Sequence, residues 1–111
     1  MRGARTAIGA RRRLFTLDVP LETPDGFGGV VRIYQPGPRV WGAIEAVALD
    51  ERERGGRPED AVTHRVRLRH RAGIDGRMRL ILGARRFAIR AASDPDGRGR
   101  ETLCLVEEIK P

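Results

Sequence analysis

Two histidines, one cysteine, a glycine-rich stretch and a row of arginines are the residues of this 111-residue chain whose types could carry chemistry. His64 and His70 stand six apart in a run that alternates like a β-strand, which separates them by roughly 20 Å at ~3.3 Å per residue. Two imidazoles that far apart cannot share a metal ion, so both read as partly buried strand histidines with hydrogen-bond partners. Cys104 sits in Leu-Cys-Leu with no histidine or basic neighbour and reads as a small buried hydrophobe. A lone cysteine also excludes an internal disulfide framework and a cysteine-rich zinc site. Gly26, Gly28 and Gly29 lead into a strand-like run, whereas a phosphate cradle needs a helix start at that point. Paired acids occur inside turns and the charged loop. No catalytic constellation emerges, and the chain is expected to be no enzyme and to need no cofactor or metal.

The arginine row is the feature that points to binding. Arg65, Arg67, Arg69 and Arg71 recur at every second position of Thr63-His-Arg-Val-Arg-Leu-Arg-His-Arg71, so they share one strand face at a repeat of about 6.6–7 Å. That repeat is close to a phosphate spacing, and the row could track a nucleic-acid backbone. The same row is equally a solvated face, or a set of partners for acids of a neighbouring strand or subunit. Stacking on single strands needs exposed aromatics, and one Trp, one Tyr and three Phe leave no strand with two of them on the charged face.

The elements that position these residues are short. Turn signals fall at Thr23-Pro-Asp-Gly-Phe-Gly-Gly29, Gln35-Pro-Gly-Pro38, Gly55-Gly-Arg-Pro58, Ala72-Gly73 with Asp75-Gly76, and Asp94-Pro-Asp-Gly97. Their spacing leaves room for strands and little for helices. Leu14 to Val19 and Val30 to Tyr34 pair across the glycine-rich turn. Val40 to Leu49 fits a strand in its first half and either a strand or a helical face beyond it. Met78 to Leu82 and Phe87 to Ala91 form a hairpin about Gly83-Ala84. A last strand runs from Thr102 to Ile109, with Cys104 and Val106 opposite Leu103 and Leu105. The expected fold is all-β: a small barrel of about six to seven short antiparallel strands, with one long charged loop over residues 50–61 that has room for one short helical turn. The chain reads as one domain, 1–111, whose residues 1–12 form a flexible basic arm.

Charge separates along the chain. Lys plus Arg number 22 against 15 Asp plus Glu, a formal charge of +7, and Lys110 is the one lysine. Arg2, Arg5, Arg11, Arg12 and Arg13 crowd the first 13 residues with no acid among them, and residues 61–92 hold nine arginines against Asp75. Acids gather in 50–60 and 94–108. The imbalance favours an acidic partner: nucleic acid, an acidic protein ring or a membrane surface. No apolar run approaches the roughly 18 residues that a membrane span needs, so no membrane is expected among the partners. The basic start is followed by no long apolar block and does not read as a secretory signal.

The order of motifs resembles the head-tail joining proteins of long-tailed bacteriophages and gene transfer agents, also called head-closure, stopper or head-tail adaptor proteins. The matching pieces are Arg12-Arg-Leu-Phe-Thr-Leu17 with Thr23-Pro-Asp-Gly-Phe-Gly-Gly29, Val40-Trp41 with Ala43 and Glu45, and Thr63-His-Arg-Val-Arg-Leu-Arg69. Met78-Arg-Leu, Gly83-Ala-Arg-Arg-Phe-Ala-Ile-Arg90, and Asp94-Pro-Asp-Gly97 before Leu103-Cys104 complete them. The resemblance covers nearly the whole chain. It implies a β-barrel that assembles as a ring of six or twelve copies in the neck of a phage-like particle put together in the bacterial cytoplasm. That ring closes the DNA-filled head beneath the portal or adaptor ring. It receives the tail terminator or tail tube below, and double-stranded DNA passes through it. It also implies a channel-gating loop, here Asp50, Glu51, Arg52, Glu53, Arg54, Gly55, Gly56, Arg57, Pro58, Glu59 and Asp60, which is short and of mixed charge. The arginine row of 65, 67, 69 and 71 is then a subunit-interface or DNA-facing surface, and Arg2, Arg5, Arg11, Arg12 and Arg13 a docking arm. The competing reading from the residues alone is a small basic β-barrel that binds nucleic acid as an independent module.

Overall fold

The computed structural model describes residues 12–48 and 61–110. Six antiparallel strands close into a barrel: β1 (Arg13–Pro24), β2 (Val30–Ala46), β3 (His64–Arg69), β4 (Arg79–Leu82), β5 (Arg85–Ser93) and β6 (Glu101–Ile109). Their order around the barrel is β1-β2-β3-β6-β5-β4, and β4 closes on β1 through Thr16↔Ile81 and Asp18↔Arg79. Closure leaves the barrel body without a free sheet edge. The expected all-β barrel is present, and the described residues contain no α-helix. The charged segment 50–60, with its expected helical turn, lies outside the described residues.

The alternation in the sequence becomes the inside and outside of the barrel. Phe15 and Leu17 of β1, Val66 and Leu68 of β3, Leu80 and Leu82 of β4, Phe87 and Ile89 of β5, and Cys104 and Val106 of β6 all point inward and are buried. Gly42 occupies an inward position of β2. A Cβ there would lie 2.6 Å from Leu68 Cδ2 and 2.8 Å from the carbonyl oxygen of Arg67, so the strands meet too closely for any side chain. His64 packs edge-on against Phe87 with ring centroids 5.4 Å apart and its Nδ1 2.8 Å from Thr63 Oγ1. His70, expected to be partly buried, falls just beyond the end of β3 and is exposed.

A further sequence expectation needs correction. Gln35-Pro-Gly-Pro38 is no break between strands but a bulge within β2, where Gly37 and Pro38 together face Leu17 of β1 between the pairs Thr16↔Arg39 and Asp18↔Pro36. Proline is tolerated because β3 pairs only with residues 42–46 of β2, so the missing N–H lies on an unpaired edge. Pro20 and Pro24 of β1 lie likewise beyond the residues that β4 pairs. A Cβ on Gly37 would meet Leu17 O at 2.7 Å, which is why glycine fills the bulge.

Candidate interaction surface

Past Asp18 the two longest strands leave the barrel together. From Val19↔Gln35 to Pro24↔Val30 they pair only with each other, forming a two-stranded ribbon about 20 Å long. Directly opposed residues share a face. One face carries Glu22 paired with Arg32 at 2.7 Å, and Tyr34 with the guanidinium of Arg79 3.8 Å above its ring. Arg79 in turn reaches Asp18 at 3.2 Å, tying the root of the ribbon to β4. The other face carries Val19, Leu21 and Thr23 opposite Gln35, Ile33 and Val31. It continues the register of Phe15 and Leu17, so the core-facing side of β1 runs out of the barrel and into solvent. Leu21, Ile33 and Val31 are each about half exposed there.

The ribbon ends in a built loop. The Asp25 carboxylate accepts the N–H groups of Phe27 at 2.7 Å and Gly29 at 3.0 Å, and these bonds hold it below its ordinary acidity range. Gly26 and Gly28 adopt φ of 86° and 85°, which glycine alone takes readily. The loop presents Phe27 at the tip, 93% exposed.

A second surface lies on the barrel body around Trp41, which is 51% exposed. Arg12 stands 5.5 Å from its ring centroid. Beside the indole is a cavity of about 590 Å³ lined by Arg12, Trp41, Leu68, Arg69, His70, Gly99, Arg100 and Glu101. A smaller one of about 300 Å³ borders Arg39, Trp41 and Arg71. The β5–β6 turn forms one rim. Asp94 accepts N–H bonds from Gly97 at 3.1 Å and Gly99 at 2.7 Å, and Asp96 accepts one from Arg98 at 3.0 Å. These bonds fix the turn that places Arg100 at the mouth.

Both features fit a component of an assembly, since a two-stranded ribbon is marginal in water unless something covers it. Residues 7–109 match the phage head completion protein family. The chain belongs to that family. Among solved structures, this head completion protein is similar to a chain in the virion of a native gene transfer agent particle. The identity is 27% over 87% of this chain and 94% of that one, with a TM-score of 0.69. The fold also matches the solution structure of protein SF1141 from Shigella flexneri 2a, at 20% identity over 86% and 90% of the two chains, with a TM-score of 0.66. No curated protein is significantly similar.

Within the head completion protein the arginine row divides. Arg67 reaches Glu101 of β6 at 3.4 Å, and Arg65 lies part-buried between β2 and β6. Arg69 and Arg71 are exposed and border the Trp41 cavities. The basic and acidic blocks also meet inside the chain, through Arg85 with Glu108 at 2.9 Å and Arg90 with Glu107. Of the arm residues, Arg12 and Arg13 are placed, at Trp41 and at the start of β1. Arg2, Arg5 and Arg11, like the loop residues 50–60, lie outside the described residues. Sequence reading passed over Phe27 and the ribbon face. The signal was present as Val19, Leu21, Val31 and Ile33 at alternate positions flanking a turn that carries an aromatic. Among the described residues no cluster of His, Cys, Asp or Glu could hold a metal.

Proposed function

We propose that this head completion protein closes the DNA-filled head of a phage-like particle as a ring of six or twelve copies. Its ring lies in the neck, below the portal or adaptor, and offers the docking surface for the tail terminator or tail tube. The family match over residues 7–109 carries this reading. Similarity to a chain of a gene transfer agent virion and an apolar ribbon face left half exposed among the described residues support it. The work asked of such a protein is mechanical. It consists of holding neighbours and resisting the pressure of packaged DNA, and no catalytic group takes part. Ala46 of β2 pairs with His64 of β3, so the described ends of β2 and β3 meet at one place on the barrel, and the charged residues 50–60 between them are assigned to the channel. Residues 1–12 are assigned to docking on the ring above.

Electron microscopy of particles from a producing strain that lacks the gene tests the reading. Separate tails beside empty or leaking heads are expected. Normal tailed particles with full heads would overturn it. A salt titration with duplex DNA then addresses the nucleic-acid module, whose affinity must fall steeply as salt rises.

A further inference from the structure

Phe27 and Trp41 are the two strongly exposed Phe or Trp side chains among the described residues, and they cannot meet within one chain. β2 runs unbroken from Val30 to Trp41, a path of roughly 36 Å at strand rise. The tip is apolar with an ionised acid, Asp25, at its base. The cavity beside Trp41 is floored by the indole and Leu68 and rimmed by Arg12, Arg69 and Arg100, with Glu101 the one acid. Glu101 faces Arg67, and Arg100 is shared with Asp96 at 3.1 Å, which leaves the mouth basic. Shape and charge at the tip therefore complement shape and charge at the cavity. Bound phosphates would satisfy the arginines but would leave Phe27 and the ribbon face in water. A second copy of the chain would cover both.

We propose that Phe27 of one copy seats beside Trp41 in the cavity of the next copy. The Leu21–Ile33 face of the ribbon then lies against that copy, and Asp25 faces Arg12 and Arg69. Knob and cavity sit on different parts of the chain, so the contact is heterologous, the kind that closes into rings. The inference rests on the reading of this chain as a multi-copy component of the particle.

The test places photoreactive p-benzoylphenylalanine at position 27, which keeps an aromatic tip. Particles from the producing strain and the concentrated purified chain are both irradiated, and the adducts are mapped by mass spectrometry. The expected adducts join residue 27 to the peptides carrying Trp41 or residues 68–71 of a second copy, and Trp41→Ala abolishes them. Phe27→Ser is expected to lower incorporation into particles about 10–100-fold, the loss of one buried aromatic contact, with its unfolding midpoint unchanged. Adducts from tip to tip, to residues 1–11 or 49–60, to another component of the particle or to DNA would overturn the proposal. So would the absence of any adduct in particles that contain the chain. If the chain is missing from particles, the neck assignment fails, and the purified chain alone decides the contact, by forming the Trp41 adduct or not.

Discussion

Asp18→Ala should be among the most damaging single changes outside the apolar core. Asp18 is buried at the root of the ribbon, and its carboxylate faces Arg79 at 3.2 Å. Removing one partner of a buried pair typically costs about 3–5 kcal/mol, because the remaining charge stays desolvated. Here the side chains retain 12% and 21% of their exposure, so water reaches part of the pair and roughly 2–3 kcal/mol is expected. Arg79 has little else to turn to: its buried Nε donates to no acceptor among the described residues, and the rest of its guanidinium lies on the Tyr34 ring. For a chain of this size the loss corresponds to a fall in Tm of roughly 10–20 °C. Urea unfolding followed by far-UV circular dichroism measures it, with Arg86→Ala, an exposed change expected to stay within about 0.5 kcal/mol, as the control. The double change Asp18→Leu with Arg79→Met should recover most of the loss, giving a coupling energy of about 2 kcal/mol. A cost for Asp18→Ala below about 0.5 kcal/mol, or a double variant that simply sums the two singles, would refute the reasoning.

Three further outcomes follow from the barrel. Burial pushes the Cys104 thiol up to about 12, so at pH 8 it should resist thiol reagents until the chain unfolds. Because the folded state keeps this proton longer than the unfolded one, stability should fall as pH rises from about 9 towards about 12, at up to roughly 1.4 kcal/mol per pH unit, and Cys104→Ala should flatten that slope. Gly42→Ala should cost about 1–3 kcal/mol in urea unfolding, because Leu68 can turn aside but the Arg67 carbonyl cannot, while Gly76→Ala, whose nearest neighbour would be 3.5 Å away, should be tolerated. Hydrogen bonds from Arg85 hold the Glu108 carboxyl below its ordinary range. Its stabilising effect is therefore complete above about 4.5 and lost as pH falls through the lowered value, and Glu108→Gln should remove that part of the acid dependence of unfolding.

What the sequence determined by itself is the barrel. Period-two alternation in residues 64–69, 78–82 and 87–89 specifies which side chains point inward, since a strand allows only two faces and burial selects one. A bulge after Ile89, however, turns Ala92 rather than the expected Ala91 to the core, and in β6, apolar on both faces, only the structure shows that Cys104 and Val106 are the inner pair. The hairpin at Gly83-Ala84 and the Asp94-Pro-Asp-Gly97 turn were equally legible, because a local hydrogen-bond pattern and glycine φ define them without help from the rest of the chain. The order of motifs also pointed to the head completion family. What only the tertiary structure decided is where each strand loses its second neighbour. Gln35-Pro-Gly-Pro38 looks like a turn because proline breaks a strand paired on both sides, yet β2 at that point is paired on one side alone. The ribbon, its uncovered apolar face and the exposure of Phe27 all follow from β4 reaching β1 only at residues 16–18. Likewise the arginines of β3 take different roles because β6 supplies an acid to Arg67, while β3 ends at Arg69 and leaves it exposed beside the Trp41 cavities. Local pattern sets the faces of a strand, whereas the length over which it is paired depends on partners distant in sequence.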